Sequence, residues 1–190
     1  LNNNDKHKEW VAGIAKGNKL AFEHFYAAFS AKVYNTALSY LQNEQEAEEA
    51  TQDVFLQIYR SAATFEARAR VSTWVYRITV NKCLDALKSR RPRGLLWRFG
   101  DASAFDAPDF RHPGLPLEKQ EDAALLFKAV DGLPDKQKTA FILGHIEEFP
   151  RQEVADIMGL SLKAVESLLQ RAKENLRKKL EKSFPHRRKA

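Results

Sequence analysis

The sequence is poor in the residues that metal, redox and nucleotide chemistry need. One cysteine among 190 residues, Cys83, excludes an internal disulfide and a cysteine-rich zinc site. The five histidines (His7, His24, His112, His145 and His186) share no ligand-like spacing, so no metal is expected. Only 8 glycines are present, and they form neither G-x-G-x-x-G nor G-x-x-x-x-G-K, so a phosphate-cradling loop is absent. No G-x-S-x-G elbow and no H-E-x-x-H helix occurs either. No catalytic residue and no cofactor is expected, and the chain is not expected to be an enzyme. No apolar run approaches the roughly 20 residues of a membrane helix. The opening stretch Leu1–Lys8 is too polar for a signal-peptide core, so a cytoplasmic protein without membrane insertion is expected.

Charge is plentiful and unevenly placed. The net charge is +6. Residues 66–98 hold 9 basic and 2 acidic side chains, and residues 171–190 hold 9 and 2. The remaining segments are mildly acidic, with 6 basic and 8 acidic over 1–65 and 7 and 13 over 99–170. Two cationic segments in an acidic chain are the footprint of polyanion binding at two places.

Strand signals are almost absent and the periodicity is helical throughout, which predicts an all-α fold. Phe22, Phe25, Tyr26, Phe29, Val33 and Ala37 share one stripe of a helix over about 19–42. Asn43 with Glu46 resembles a capping box that opens a second helix, buried through Ala47, Ala50, Val54, Phe55 and Ile58. The outer face of that helix is acidic, with Glu44, Glu46, Glu48, Glu49 and Asp53. A third helix is expected over Ser72–Lys88, with Ser72 as N-cap.

Residues 90–117 contain four of the seven prolines and three glycines, and read as a flexible linker. Leu95, Leu96, Trp97, Phe99, Phe105 and Phe110 make it too apolar for an inert spacer. Helices are then expected over Glu118–Val130, from Pro134 in its first turn, from near Pro150, and over Leu162–Glu181. The domains divide as 1–91, linker 92–117, and 118–190.

Within RQEVADIMGLSLKAVESLL (151–169), Ala155, Gly159 and Val165 have the spacing of a helix-turn-helix. A small residue lets the helices cross, the glycine serves the turn, and Val165 plugs the second helix into the first. Ser161 is positioned to cap that second helix. Val165, Leu168, Leu169, Ala172 and Leu176 form its buried stripe; Lys163, Ser167, Gln170 and Glu174 lie opposite, flanked by Arg171 and Arg177. Amide, hydroxyl and cation together suit base edges and phosphates in a major groove.

On the third helix Trp74, Arg77, Asn81, Asp85 and Lys88 share one face, while Tyr76, Val80, Cys83 and Leu87 share the other. Cys83 therefore reads as a packing residue. Tryptophan beside arginine and asparagine suits stacking on, and hydrogen bonding to, unpaired bases, although a lone tryptophan is more often core. The preceding loop, Phe65 to Val71, bears two cations and an aromatic and could cradle a base drawn out of the stack.

The strings AFEHFY, DVFLQIYRSAATFEARARVSTWVYRITVNKCLDALKSRRPR and LPDKQKTAFILGHIEEFPRQEVADIMGLSLKAVESLLQRAKENL resemble regions two and four of the bacterial sigma-70 family. They do so in order and spacing over about residues 10–180, and resemble most the extracytoplasmic-function (ECF, group four) branch. The resemblance implies two small helical domains and a promoter-specificity subunit of RNA polymerase. It implies that Glu49, Gln52, Asp53 and Gln57 contact the clamp helices of the largest polymerase subunit, with a further contact to the flap of the second largest. Phe65, Arg68, Arg70, Ser72, Trp74, Arg77, Asn81 and Lys82 would capture and melt the minus-ten element. Ser161, Lys163, Glu166, Ser167, Gln170, Arg171, Lys173 and Arg177 would meet the minus-thirty-five element. The linker would thread the polymerase cleft, and an anti-sigma factor is an implied partner. Two positions depart from the family pattern: Leu168 follows Ser167 where an arginine is often found, and Glu148 stands where glycine is common. From the residues alone, a stand-alone helix-turn-helix regulator and an all-helical adaptor whose basic segments are merely solvated are the competing readings.

Overall fold

The computed structural model describes residues 3–66, 68–90 and 120–183, all of it helices and their connections. The linker expected over 92–117 lies outside the described residues. Helix α1 (Asn3–Ala15) had no counterpart in the sequence reading; it exists because Val11 and Ile14, a turn apart, bury fully behind an otherwise polar surface. Helix α2 (Lys19–Leu41) starts at Asn18, whose side chain accepts from the Ala21 N–H at 3.2 Å. Its Phe25, Phe29, Val33 and Ala37 are buried as the stripe demands. Tyr26, grouped with that stripe, is instead 46% exposed, because it sits at the stripe's edge.

Helix α3 (Glu44–Ser61) is capped by Asn43, which accepts from the Glu46 N–H at 2.9 Å. The Glu46 carboxylate pairs with Arg90 just past the end of α4 (Val71–Ser89), tying the two helices together. Ala47, Ala50, Val54, Phe55 and Ile58 are buried, each large one contributing about 1.5–3 kcal/mol. A 3₁₀ turn, Ala62–Thr64, leads toward α4.

The cap expected at Ser72 is not there. Helix α4 begins one residue earlier, at Val71, with Arg70 in the capping position. Arg70 offers no side-chain cap, and the first N–H of the helix is met from a distance, Asn4 of α1 accepting from the Val71 N–H at 3.1 Å. Ser72 lies inside the first turn with its hydroxyl turned to another helix.

The second group holds α5 (Gln120–Asp131), α6 (Asp135–Phe141), a π-helical turn (Ile142–Ile146), α7 (Arg151–Met158) and α8 (Leu162–Ser183). Pro134 and Pro150 are the residues just before α6 and α7; Pro134 is thus a cap, not a first-turn residue. Helix α4 is sandwiched. Val71 and Val75 enter one buried cluster with α1, α2 and α3. Tyr76, Val80, Cys83 and Leu87 enter a second cluster that continues through Ala37, Tyr40 and Leu41 into Phe127, Val130, Phe141, Leu143 and Val154. One apolar core therefore joins the two helical groups.

Candidate nucleic-acid interface

The three residues of the expected helix-turn-helix occupy their places. Ala155 and Val165 are fully buried, and Gly159 has φ 64, the left-handed conformation the turn requires. The turn closes with the Leu160 N–H donating to Ala155 O at 3.0 Å. Ser161 caps α8, its hydroxyl accepting from the Ala164 N–H at 3.3 Å. Leu169, Ala172 and Leu176 bury beside Val165, and Leu168 is half-buried.

On the outer side of α8, Lys163, Glu166, Gln170, Arg171, Lys173 and Arg177 are exposed along with Ser161. Ser167 is half-buried, its hydroxyl donating to Lys163 O at 2.9 Å. Glu166 lies 3.4 Å from Arg151, Gln170 donates to Glu174 at 3.2 Å, and Arg177 pairs with Glu181 at 2.9 Å. Such exposed pairs are worth about 0–1 kcal/mol. An open groove of ≈ 420 Å³ runs along this helix, with Lys136, Lys163 and Arg171 in its wall. Lys136 comes from α6, 27 residues before Lys163, so only the folded structure reveals it as a member of this face.

On α4, the expected division of faces holds for Tyr76, Val80, Cys83 and Leu87, which are buried, and for Arg77, Asn81, Asp85 and Lys88, which are exposed, but not for Trp74. Burial pushes the Cys83 thiol up to about 12, which keeps it protonated and unreactive. Trp74 is half-buried, lying on the first core cluster with Phe65 against it, ring centroids 4.9 Å apart. The pair forms a supported aromatic step beside the loop. Arg68 is exposed and meets Glu66 at 2.9 Å. Lys82 sits 4.0 Å from Asp53, so a cation of α4 borders the acidic side of α3.

Three members of the α4 group have partners in the second helical group. Arg77 donates to Ile157 O at 3.3 Å and Asp156 O at 2.5 Å, at the end of α7. Ser72 donates to Glu153 at 3.2 Å, and Arg70 lies 3.8 Å from the same carboxylate.

On α3, Glu49, Gln52 and Asp53 are exposed and Gln57 is half-buried. Beside them Leu56 is 46% and Tyr59 54% exposed, with Phe22 edge-on to Tyr59 at 5.9 Å. The acidity expected of this surface is therefore only half of it; the other half is apolar. The signal was available: Leu56 and Tyr59 fall between the buried positions of α3, off its apolar stripe.

The helices α3 and α4 and the helix-turn-helix fall within two family matches in order along the chain: Sigma-70 region 2 matches residues 25–93 and Sigma-70, region 4 matches residues 123–176. The chain belongs to the sigma-70 family. Its relatives place it in the ECF branch. It is 27% identical over 188 residues to the ECF RNA polymerase sigma factor SigW of Bacillus subtilis, covering 91% of this chain and 96% of SigW. It is 27% identical over 177 residues to the ECF RNA polymerase sigma-E factor of Haemophilus influenzae, covering 90% and 93%. The fold matches that of CnrH, solved in complex with the cytosolic domain of CnrY, at TM-score 0.69 and 22% identity over 93% of this chain and 97% of CnrH. It also matches the sigma factor RpoE of Bartonella quintana, solved with the anti-sigma factor NepR, at TM-score 0.61 and 20% identity over 84% and 96%. Among the described residues no helix of this sigma-70 member is long and apolar enough to cross a membrane.

Proposed function

We propose that this chain is a promoter-specificity subunit of bacterial RNA polymerase, recruited to the core enzyme to recognise and open promoters. The observation that carries the reading is the presence, in family order on one chain, of a region-two helix with a polar aromatic face and a region-four helix-turn-helix with an exposed cationic face. Residues 1–91 serve as the region-two domain, 92–117 as the linker and 118–190 as the region-four domain. Glu49, Gln52, Asp53 and Gln57, with the neighbouring Leu56 and Tyr59, form the surface offered to the polymerase clamp. Phe65, Arg68, Arg70, Ser72, Trp74, Arg77, Asn81 and Lys82 hold the minus-ten strand. Ser161, Lys163, Glu166, Ser167, Gln170, Arg171, Lys173 and Arg177, joined by Lys136, face the minus-thirty-five duplex.

The chain makes no bond in this scheme, and polymerase supplies the chemistry. Its work is done in the cytoplasm, where polymerase and promoter are. Unstacking a base costs a few kcal/mol, and an aromatic platform returns about 1–3 kcal/mol per base. Promoter opening is thus near balance on the chain alone and needs the polymerase to complete it. An anti-sigma factor is the expected inhibitor. A stand-alone regulator accounts for α7 and α8 but leaves the α3 surface and the α4 face without a role.

Permanganate reactivity of promoter DNA tests the proposal. Unpaired thymines are expected in one upstream element only when core polymerase and this chain are both present. Identical reactivity with and without the chain contradicts it.

A further inference from the structure

The open groove beside α8 is cationic at its rim and apolar at its floor. Lys136, Lys163 and Arg171 stand exposed around it, and among the described residues no carboxylate lines it. Its floor is made by Leu160, from the turn, and by Ala164 and Leu168, about one turn apart on α8. All three are half-buried. Leu160 and Leu168 also pack against the core cluster that holds Val165 and Leu169, which fixes the floor in place. The two hydroxyls that line the groove bond to the helix's own backbone. Ser161 accepts from the Ala164 N–H at 3.3 Å, and Ser167 donates to Lys163 O at 2.9 Å. The groove therefore offers methyl and methylene groups between its cations, on a face otherwise built of charge and amide.

A groove of this kind matches one feature of double-stranded DNA. Phosphates supply the negative charge that the rim attracts. Along the major groove every base pair presents hydrogen-bonding atoms, but only thymine presents an apolar group, the methyl on its C5 carbon. We propose that Leu160, Ala164 and Leu168 form a seat for that methyl, so that the chain selects thymine in the upstream duplex by apolar contact while Lys136 and Arg171 hold the flanking phosphates. The inference rests on the reading of α8 as the duplex-binding helix and adds the class of base that one part of it selects. Ala164 and Leu168 lie about 6 Å apart along the helix axis. That is close to two duplex steps of about 3.4 Å each, so the floor serves one thymine or two near neighbours. None of the three floor side chains carries a polar atom that could meet the amino or carbonyl groups of other bases. Removing the methyl alone forfeits the burial of one carbon, about threefold to fourfold in affinity.

Uracil interference tests the seat, because uracil differs from thymine only in lacking the C5 methyl. Genomic promoter duplexes with thymine sparsely replaced by uracil are incubated with core polymerase and the full chain. Bound and unbound duplexes are separated and mapped by cleavage at uracil. The readout at each position is the ratio of thymine to uracil in the bound fraction, which does not depend on how much of the protein is folded. For the wild type, uracil at one position or two in the upstream element is expected to be depleted about threefold to fourfold. Leu168→Ala, and the near-isosteric Ala164→Ser that sets a hydroxyl in the floor, are expected to erase the depletion. Lys136→Ala is expected to weaken binding of both duplexes alike and to leave the ratio as it is. Uracil tolerated throughout the upstream element, with the duplexes still bound, overturns the thymine seat and leaves the function standing. Depletion that persists in full in both floor variants overturns its placement in this groove. No binding beyond that of core polymerase alone overturns this inference together with the function it rests on.

Discussion

Glu148 adopts φ 56, in the left-handed region where a Cβ clashes with its own backbone. Its position explains why glycine is common there in the family: the chain must turn sharply between the π-helical turn and α7. Relief of that strain outweighs the extra backbone entropy glycine loses on folding, so Glu148→Gly is expected to stabilise by about 0.5–1 kcal/mol. Thermal unfolding reads this directly as a raised midpoint, and a lowered midpoint contradicts it. The next residue back behaves differently. Burial pushes the Glu147 carboxyl up, opposed by hydrogen bonding with Thr36 and Tyr76 and by the charge of Lys32. The facing Tyr76 phenol is pushed up in turn, by burial first and by Glu147 second. A carboxyl raised on folding favours the native state in its protonated form. Its contribution is full below the unfolded value of about 4.3 and is lost as pH rises through the higher folded value. Glu147→Gln is therefore expected to stabilise the chain at about pH 7 and to flatten the change in stability between pH 7 and 5. Parallel melting curves for wild type and variant across that range contradict the assignment.

At the scale of elements, the tasks proposed for α3 and α8 are separable. Leu56 and Tyr59 protrude from α3 beside its carboxylates, and truncating both to alanine is expected to weaken core-polymerase binding at least about tenfold, or about 1.4 kcal/mol. Single-strand binding by the isolated chain should not change, and a parallel loss of both makes the pair structural. Lys136 lines the groove beside α8, so Lys136→Ala is expected to weaken duplex binding across sequences and to lower its salt slope by about one. An unchanged slope removes Lys136 from the phosphate contacts. The elements differ in how plainly the residue pattern announces them. The helices α2, α3 and α8 follow from apolar spacing, α6 and α7 from the prolines at their starts, and the turn at Gly159 from the small, glycine and β-branched residues around it. Helix α1 was invisible because two buried residues, Val11 and Ile14, are too few to mark a stripe in a polar segment. The start of α4 was misplaced because its cap comes from Asn4, 67 residues away, and no local pattern encodes a cap that arrives through tertiary packing.

At the scale of the whole molecule, the largest element of surprise is the continuous core between the two helical groups. Composition divides the chain into two domains with a linker and does not say how the two meet. Tyr76, Val80, Cys83 and Leu87 were recognised as the buried side of α4, but a helical wheel does not say which partner buries them. Gln42 illustrates the same limit: it ends α2 in a left-handed conformation and donates to Phe127 O at 2.9 Å, a bond linking residues 85 apart. Long-range partnership of this kind depends on how two groups dock, which periodicity does not record. Everything in the account converges on promoter-directed initiation by a polymerase that lacks this specificity on its own. Run-off transcription with purified bacterial core polymerase on a pool of genomic promoters, with and without the chain, tests that most directly. Discrete new transcripts whose templates share two spaced upstream elements are the predicted result. An unchanged transcript set, with no shift of polymerase on a native gel, contradicts the account.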